Sequence, residues 1–160
     1  MSRKVITQIL IAAMLVTTVF AGVPATVAKA EAKEYYFSNL SYASQWGVSS
    51  RRISNGALKA TFSSMYGEVK YTFPDAISVS NIQSMTVGAN TAGQNTAFKF
   101  YDASGKQLFV KYNASCKSYT DFSIATSGSG SIKSIGVMSQ SSTSYTATVY
   151  NIKFTMKSSS

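Results

Sequence analysis

From residue 33 onward the chain sets short runs of Val, Ile, Thr, Tyr and Phe between clusters of Gly, Ser, Asn and Asp, with no helical periodicity. This is the pattern of an all-β sandwich. Strands are expected at about 35–38, 47–53, 57–63, 67–73, 82–89, 96–102, 107–113, 120–125, 132–139 and 145–156. Alternation puts Leu58, Ala60 and Phe62 on one face and Val69, Tyr71 and Phe73 on another. "YDASGKQ" reads as a tight hairpin turned by Asp102 and Gly105. "TSGSGS" at 126–131 and "SQSSTS" at 139–144 read as flexible loops. The expected architecture is a jelly-roll type β-sandwich of two antiparallel sheets.

The first 32 residues read as a secretory signal peptide rather than as part of the fold. "MSRK" is a positive n-region, "VITQILIAAMLVTTVFAG" an apolar stretch, and "ATVAKAEA" offers small residues at cleavage spacing. Residues 33–157 are then one domain with room for its own core, and 158–160 the start of a Ser-rich linker. The expected product is a secreted or cell-surface bacterial protein, with no membrane partner after cleavage. Cys116 is the single cysteine, so an intramolecular disulfide is excluded and the thiol reads as structural filler.

Charge and chemistry narrow the function. The chain carries +9; without Arg3, Lys4, Lys29 and Glu31, 12 basic and 5 acidic residues leave +7. The lysines are scattered singly and only Arg51-Arg52 adjoin, so a nucleic-acid partner is not expected. Histidine is absent, which removes Ser-His-Asp and Cys-His catalysis and the usual zinc sites. Two carboxylates alone could hydrolyse a glycoside. Of the five outside the leader, Asp75 and Asp102 read as turn residues and Glu34 sits at the start of the domain. Glu68 and Asp121 stay open, with a structural role favoured for each. No enzyme is expected within these residues.

The aromatic residues divide into two groups. Most phenylalanines fall within strand runs and read as core. Many tyrosines flank turns, among them Tyr42, Tyr66, Tyr112, Tyr119 and Tyr145. "ATFSSMYGEVKYTF", residues 60–73, even carries Met65 and Tyr66 at a hairpin turn, where Asn, Asp or Ser is usual. Rings with a polar handle suit carbohydrate grooves, because sugars offer C–H faces for stacking and hydroxyls for planar polar partners.

"ISNGALKATFSSMYGEVKYTFP", "AFKFYDASGKQLFVKYN", "SIGVMSQ" and "YTATVYNIKFTM" resemble the non-catalytic carbohydrate-binding modules of secreted clostridial glycoside hydrolase family 10 xylanases. Those β-sandwich modules are related in form to the family 22 and family 4 modules. The resemblance runs from about residue 35 to 156. It implies that Tyr66, on a loop over the groove after the G-x-L-K strand, stacks on xylan, and that Trp46 is either a core residue or a second platform. Tyr119, Tyr145 and Tyr112 are further candidate platforms, and Arg51, Gln140 and Asn90 candidate polar partners. Many relatives hold a structural calcium through an Asp pair in the last strand; Asn151 departs from that pattern, and no cofactor is expected. The implied function is a monomeric module that binds xylan first, mixed-linkage glucan or mannan second, and targets an appended endo-1,4-β-xylanase to its substrate. The alternative is a secreted adhesive or structural surface domain that binds protein or cell wall.

Overall fold

Eleven strands carry the fold in the computed structural model, which describes residues 29–158. They are β1 (Ala32–Tyr35), β2 (Ser41–Trp46), β3 (Val48–Ser54), β4 (Ala57–Phe62), β5 (Glu68–Ser78), β6 (Ile82–Asn90), β7 (Thr96–Tyr101), β8 (Gln107–Ala114), β9 (Thr120–Ser123), β10 (Ser131–Ser139) and β11 (Tyr145–Met156). Most of the expected signal peptide, residues 1–28, and Ser159–Ser160 lie outside the described residues.

The strands form two antiparallel sheets. Sheet A has the order β3-β4-β11-β6-β9, and β1 pairs with the C-terminal half of β11 beyond the end of β4. Sheet B has the order β2-β5-β10-β7-β8. The chain repeatedly crosses from one sheet to the other, giving the expected jelly-roll sandwich. The faces read from alternation are the inward ones: Leu58, Ala60 and Phe62 on β4 pack against Val69, Tyr71 and Phe73 on β5 within one core. Tyr35, Phe73 and Phe154 meet edge to face, with centroids 5.1–5.9 Å apart. Each fully buried Phe contributes about 2–3 kcal/mol of transfer free energy, so these rings dominate the core.

Three stretches depart from the expected strands. The strand expected at 35–38 lies at Ala32–Tyr35, and a 3-10 turn follows at Phe37–Asn39. β2 falls where no strand was expected. All six of its residues are exposed, so neither alternation nor an apolar run marks it. β5 continues through Pro74 to Ser78, five residues past the expected end at 73. Pro74 is tolerated there because pairing with β10 skips from Thr72 to Ile77, leaving its missing N–H outside the ladder. Lys133 Nζ donates to the Pro74 carbonyl at 3.0 Å.

Candidate functional site

The outer face of sheet B carries exposed rings beside partly buried charge. At its centre is Gly136 on β10, between Lys70 of β5 and Lys99 of β7. Because Gly136 lacks a side chain, the Glu68 carboxylate lies over its Cα; a Cβ there would collide with Glu68 Oε1 and come within 3.0 Å of Tyr101. Tyr101 donates its hydroxyl to Glu68 Oε1 at 2.6 Å. Lys99 and Lys70 approach the same carboxylate at 3.6 and 4.0 Å, and the Lys70 ammonium sits 4.0 Å over the Tyr101 ring. One carboxylate, largely withdrawn from water, is thus shared by a phenol and two ammonium groups, leaving the patch with a net positive charge.

Burial, then the bond to Glu68, pushes the Tyr101 hydroxyl well above the ordinary tyrosine range. Burial also raises Tyr145, outweighing its bond to Thr96. For groups whose folded pKa is raised, the stabilisation is complete below the unfolded value of about 10 and is lost as pH climbs beyond it. The melting temperature is therefore expected to fall as pH rises above about 10. Tyr145→Phe, which removes one of the two groups, should shallow that fall. Equal slopes in the two proteins would contradict the assignment.

Aromatic residues close both ends of the row next to this polar centre. Across the sheet the register places Trp46 beside Glu68 and Glu68 beside Met138, which faces Ala97. A bulge on β8 leaves Tyr112 and Asn113 together opposite Ala97. At about 4.8 Å per strand, the row from Trp46 to Tyr112 spans roughly 19 Å. Trp46 is 59 % exposed and Tyr112 is 49 % exposed. Beside Trp46 is a depression of about 250 Å³ lined by Ser44, Gln45, Trp46, Glu68 and Lys70.

Loops at one end of the sheet fix the two platforms. Gly47 and Gly67 touch backbone to backbone with no room for a Cβ on either, which ties the chain after Trp46 to the chain before Glu68. Tyr66 precedes that contact, half exposed, with its N–H donated to the Ser139 carbonyl at 2.8 Å. Gln140 Oε1 accepts the Asn113 N–H at 2.7 Å and so holds the bulge that presents Tyr112.

Tyr66 adopts φ +67°, a left-handed conformation that costs a residue with a Cβ about 1 kcal/mol. Tyr66→Gly should therefore raise stability by up to about 1 kcal/mol, whereas Tyr66→Ala should leave it nearly unchanged. If the ring stacks on a ligand, both variants should lose about 1–2 kcal/mol of binding. Thermal melting and calorimetry on the pair separate ring from backbone, and normal binding by both would remove Tyr66 from the site.

The remaining candidates lie elsewhere. Arg51, on β3, spans the open edge of the sandwich; its guanidinium is 4.0 Å over the Tyr42 ring and donates to Gln45 and to the Tyr71 hydroxyl at 3.1 and 2.8 Å. It buttresses Gln45 from behind the depression. Asn90 is folded into the turn after β6, accepting from the Ala92 N–H at 2.9 Å. Tyr145 is a core residue, 8 % exposed, with its ring against Phe62 and its hydroxyl on Thr96 at 2.7 Å. A buried ring presents no face to a sugar. Tyr119 belongs to the outer face of sheet A, as does Asp121. Glu68 and Asp121 therefore lie on opposite sides of the sandwich and do not form the carboxylate pair that glycoside hydrolysis uses. Asn151 is buried on sheet A, and among the described residues no three His, Cys, Asp or Glu side chains converge.

Lys70, Lys99, Tyr101 and Met138 were not legible as site residues. Their signal is a polar or large residue at every second position of otherwise buried strands: Glu68, Lys70 and Thr72 on β5, Lys99 and Tyr101 on β7. That signal marks an outward face on each strand. It does not reveal that β10 brings the two faces together.

Neither a protein-family model nor a curated protein sequence matches the chain. Solved structures share the fold. A low-affinity xylan binding module, CBM86, from the xylanolytic gut symbiont Roseburia intestinalis superposes with a TM-score of 0.70 at 22 % identity, covering 79 % of this chain and 96 % of that one. A family 29 carbohydrate-binding module solved with cellulohexaose gives 0.58 at 10 % identity, covering 77 % and 90 %. Another variant of the family 29 module gives 0.62 at 8 % identity, covering 79 % and 92 %.

Proposed function

We propose that this domain is a non-catalytic carbohydrate-binding module for xylan or a related β-linked plant polysaccharide, held across the outer face of sheet B. The observation that carries the reading is the row from Trp46 to Tyr112, in which exposed rings flank Glu68 and Met138, with Lys70, Lys99 and Tyr101 gathered beside it around Gly136. Rings at the two ends give sugars a surface to stack on. Along and beside the row, the Glu68 carboxylate and the Lys70 and Lys99 ammonium groups offer acceptors and donors to hydroxyls. The likeness of the fold to modules solved as xylan and cellulohexaose binders supports this reading.

The groove is open to water, so sugar hydroxyls exchange one set of hydrogen bonds for another and the net gain is small. A dissociation constant of micromolar to millimolar, roughly −4 to −8 kcal/mol, is expected. Xylan ranks first among substrates, mixed-linkage glucan and mannan second, and the module acts as a monomer. By raising local concentration it targets an appended xylanase to its substrate.

Affinity gel electrophoresis of residues 33–160 in arabinoxylan, β-glucan and mannan tests the binding. Retardation in arabinoxylan above all is expected. Free migration in every glycan, with retention on protein or cell-wall fractions, would replace this reading by that of an adhesive surface domain.

A further inference from the structure

The outer face of sheet A, on the other side of the sandwich, holds a second set of half-exposed rings around an unsatisfied acceptor. β11 bulges at Tyr150, where pairing with β6 passes from Val149–Ala89 to Asn151–Gly88. The Tyr150 ring packs 5.1 Å from that of Tyr119. Tyr36 follows directly on β1, whose Tyr35 pairs with Ile152, and so comes up beside Asn151. The Glu34 carboxylate raises the pKa of the Tyr36 hydroxyl, and the charge of Lys153 opposes that shift. Tyr36 and Tyr119 are 42 % and 46 % exposed.

Polar groups fill the space between these rings. Tyr119 donates its hydroxyl to Asp121 Oδ1 at 2.7 Å, and Lys153 reaches both Tyr119 Oη at 3.4 Å and Asp121 at 3.7 Å. Beneath them, the missing side chain of Gly88 leaves a space that the Asn151 carboxamide and the Tyr119 phenol share. Asn151 is 7 % exposed, and its Oδ1 has no hydrogen-bond partner. A buried acceptor with no donor is costly and rare, and calls for one from outside the protein. Oδ1 lies beside the edge of the Tyr119 ring, which Asp121, Lys153 and Tyr150 hold, so uncovering it exchanges those contacts for contacts with a ligand.

We propose that this face is a second glycan-binding site, in which Tyr36 and Tyr119 stack on sugar rings and Asn151 Oδ1 accepts a hydroxyl once Tyr119 swings aside. The ligand class follows from the groups present. Phenol faces take apolar C–H surfaces, while carboxylates, an ammonium and a carboxamide in alternation suit a neutral, hydroxyl-rich chain. The carboxylates of Glu34 and Asp121 repel polyanions such as nucleic acid. This inference does not depend on the role proposed for sheet B. Where both faces bind, one domain bridges two chains and gains avidity on insoluble polysaccharide.

An amide chemical-shift titration of the full domain with xylohexaose, repeated with cellohexaose, tests the site. Saturable shifts are expected at Gly88, Asp121 and Asn151 with at least one of the two sugars. They should persist in Trp46→Ala/Tyr112→Ala. In Tyr36→Ala/Tyr119→Ala, whose altered side chains are exposed and should not disturb folding, the midpoint for these amides should rise at least roughly tenfold, equivalent to about 1.4 kcal/mol. Asn151→Leu removes the acceptor but keeps the rings and should also raise the midpoint; a purely structural Asn151 would alter melting alone. Unmoved amides at Gly88, Asp121 and Asn151 in the wild type with both sugars would overturn the second site, whatever happens around Trp46. Shifts confined to these amides would support it and count against sheet B.

Discussion

Gly136→Ala is expected to lower stability by about 2–4 kcal/mol, although alanine normally favours a strand over glycine. The new Cβ would take the place of Glu68 Oε1 and press on the Tyr101 ring. Glu68 must then leave the phenol and the two lysines, and breaking a largely buried charge network costs several kcal/mol. For a domain of this size the melting temperature should fall by roughly 10 °C. Binding should weaken as well, since the centre of the proposed groove is displaced. In a Glu68→Ala background the added cost of Gly136→Ala should shrink, because the main clash is gone. An unchanged melting temperature for Gly136→Ala alone would mean that Glu68 moves freely and does not organise this face.

Trp46→Ala is expected to cost about 2 kcal/mol of xylan binding, roughly thirtyfold in the dissociation constant, from lost ring contact with the sugar. Stability should change by no more than about 0.5 kcal/mol, because the ring is 59 % exposed on an edge strand. Trp46 therefore separates a platform from a core residue, the two roles its sequence context left open. Calorimetry with xylohexaose and thermal melting on one sample read both quantities. Normal binding, or a loss of several kcal/mol in stability, would each refute the platform role.

The core was the most legible part of the fold. Leu58, Ala60 and Phe62, and Val69, Tyr71 and Phe73, alternate because one side of each strand is buried, and period-two burial is written directly in the sequence. β2 left no such trace, since all six of its residues face water, and its strand character comes from pairing with β5. Exposed rings were harder to sort. Tyr66, Tyr112 and Tyr145 all flank turns, yet Tyr145 closes the core beside Phe62 while the other two face solvent. The charged centre required the long-range order β5-β10-β7, which brings Glu68, Lys99 and Tyr101 together from strands about 30 residues apart. Single-strand patterns carry no information of that kind.

Trp46 is the only tryptophan in the chain, so its fluorescence reports on one position of the proposed groove. Adding xylohexaose or soluble arabinoxylan should shift its emission saturably to the blue, as a sugar displaces water from the exposed ring, with a midpoint matching that of calorimetry. Saturating binding by calorimetry with unchanged Trp46 emission would contradict a glycan seated across sheet B.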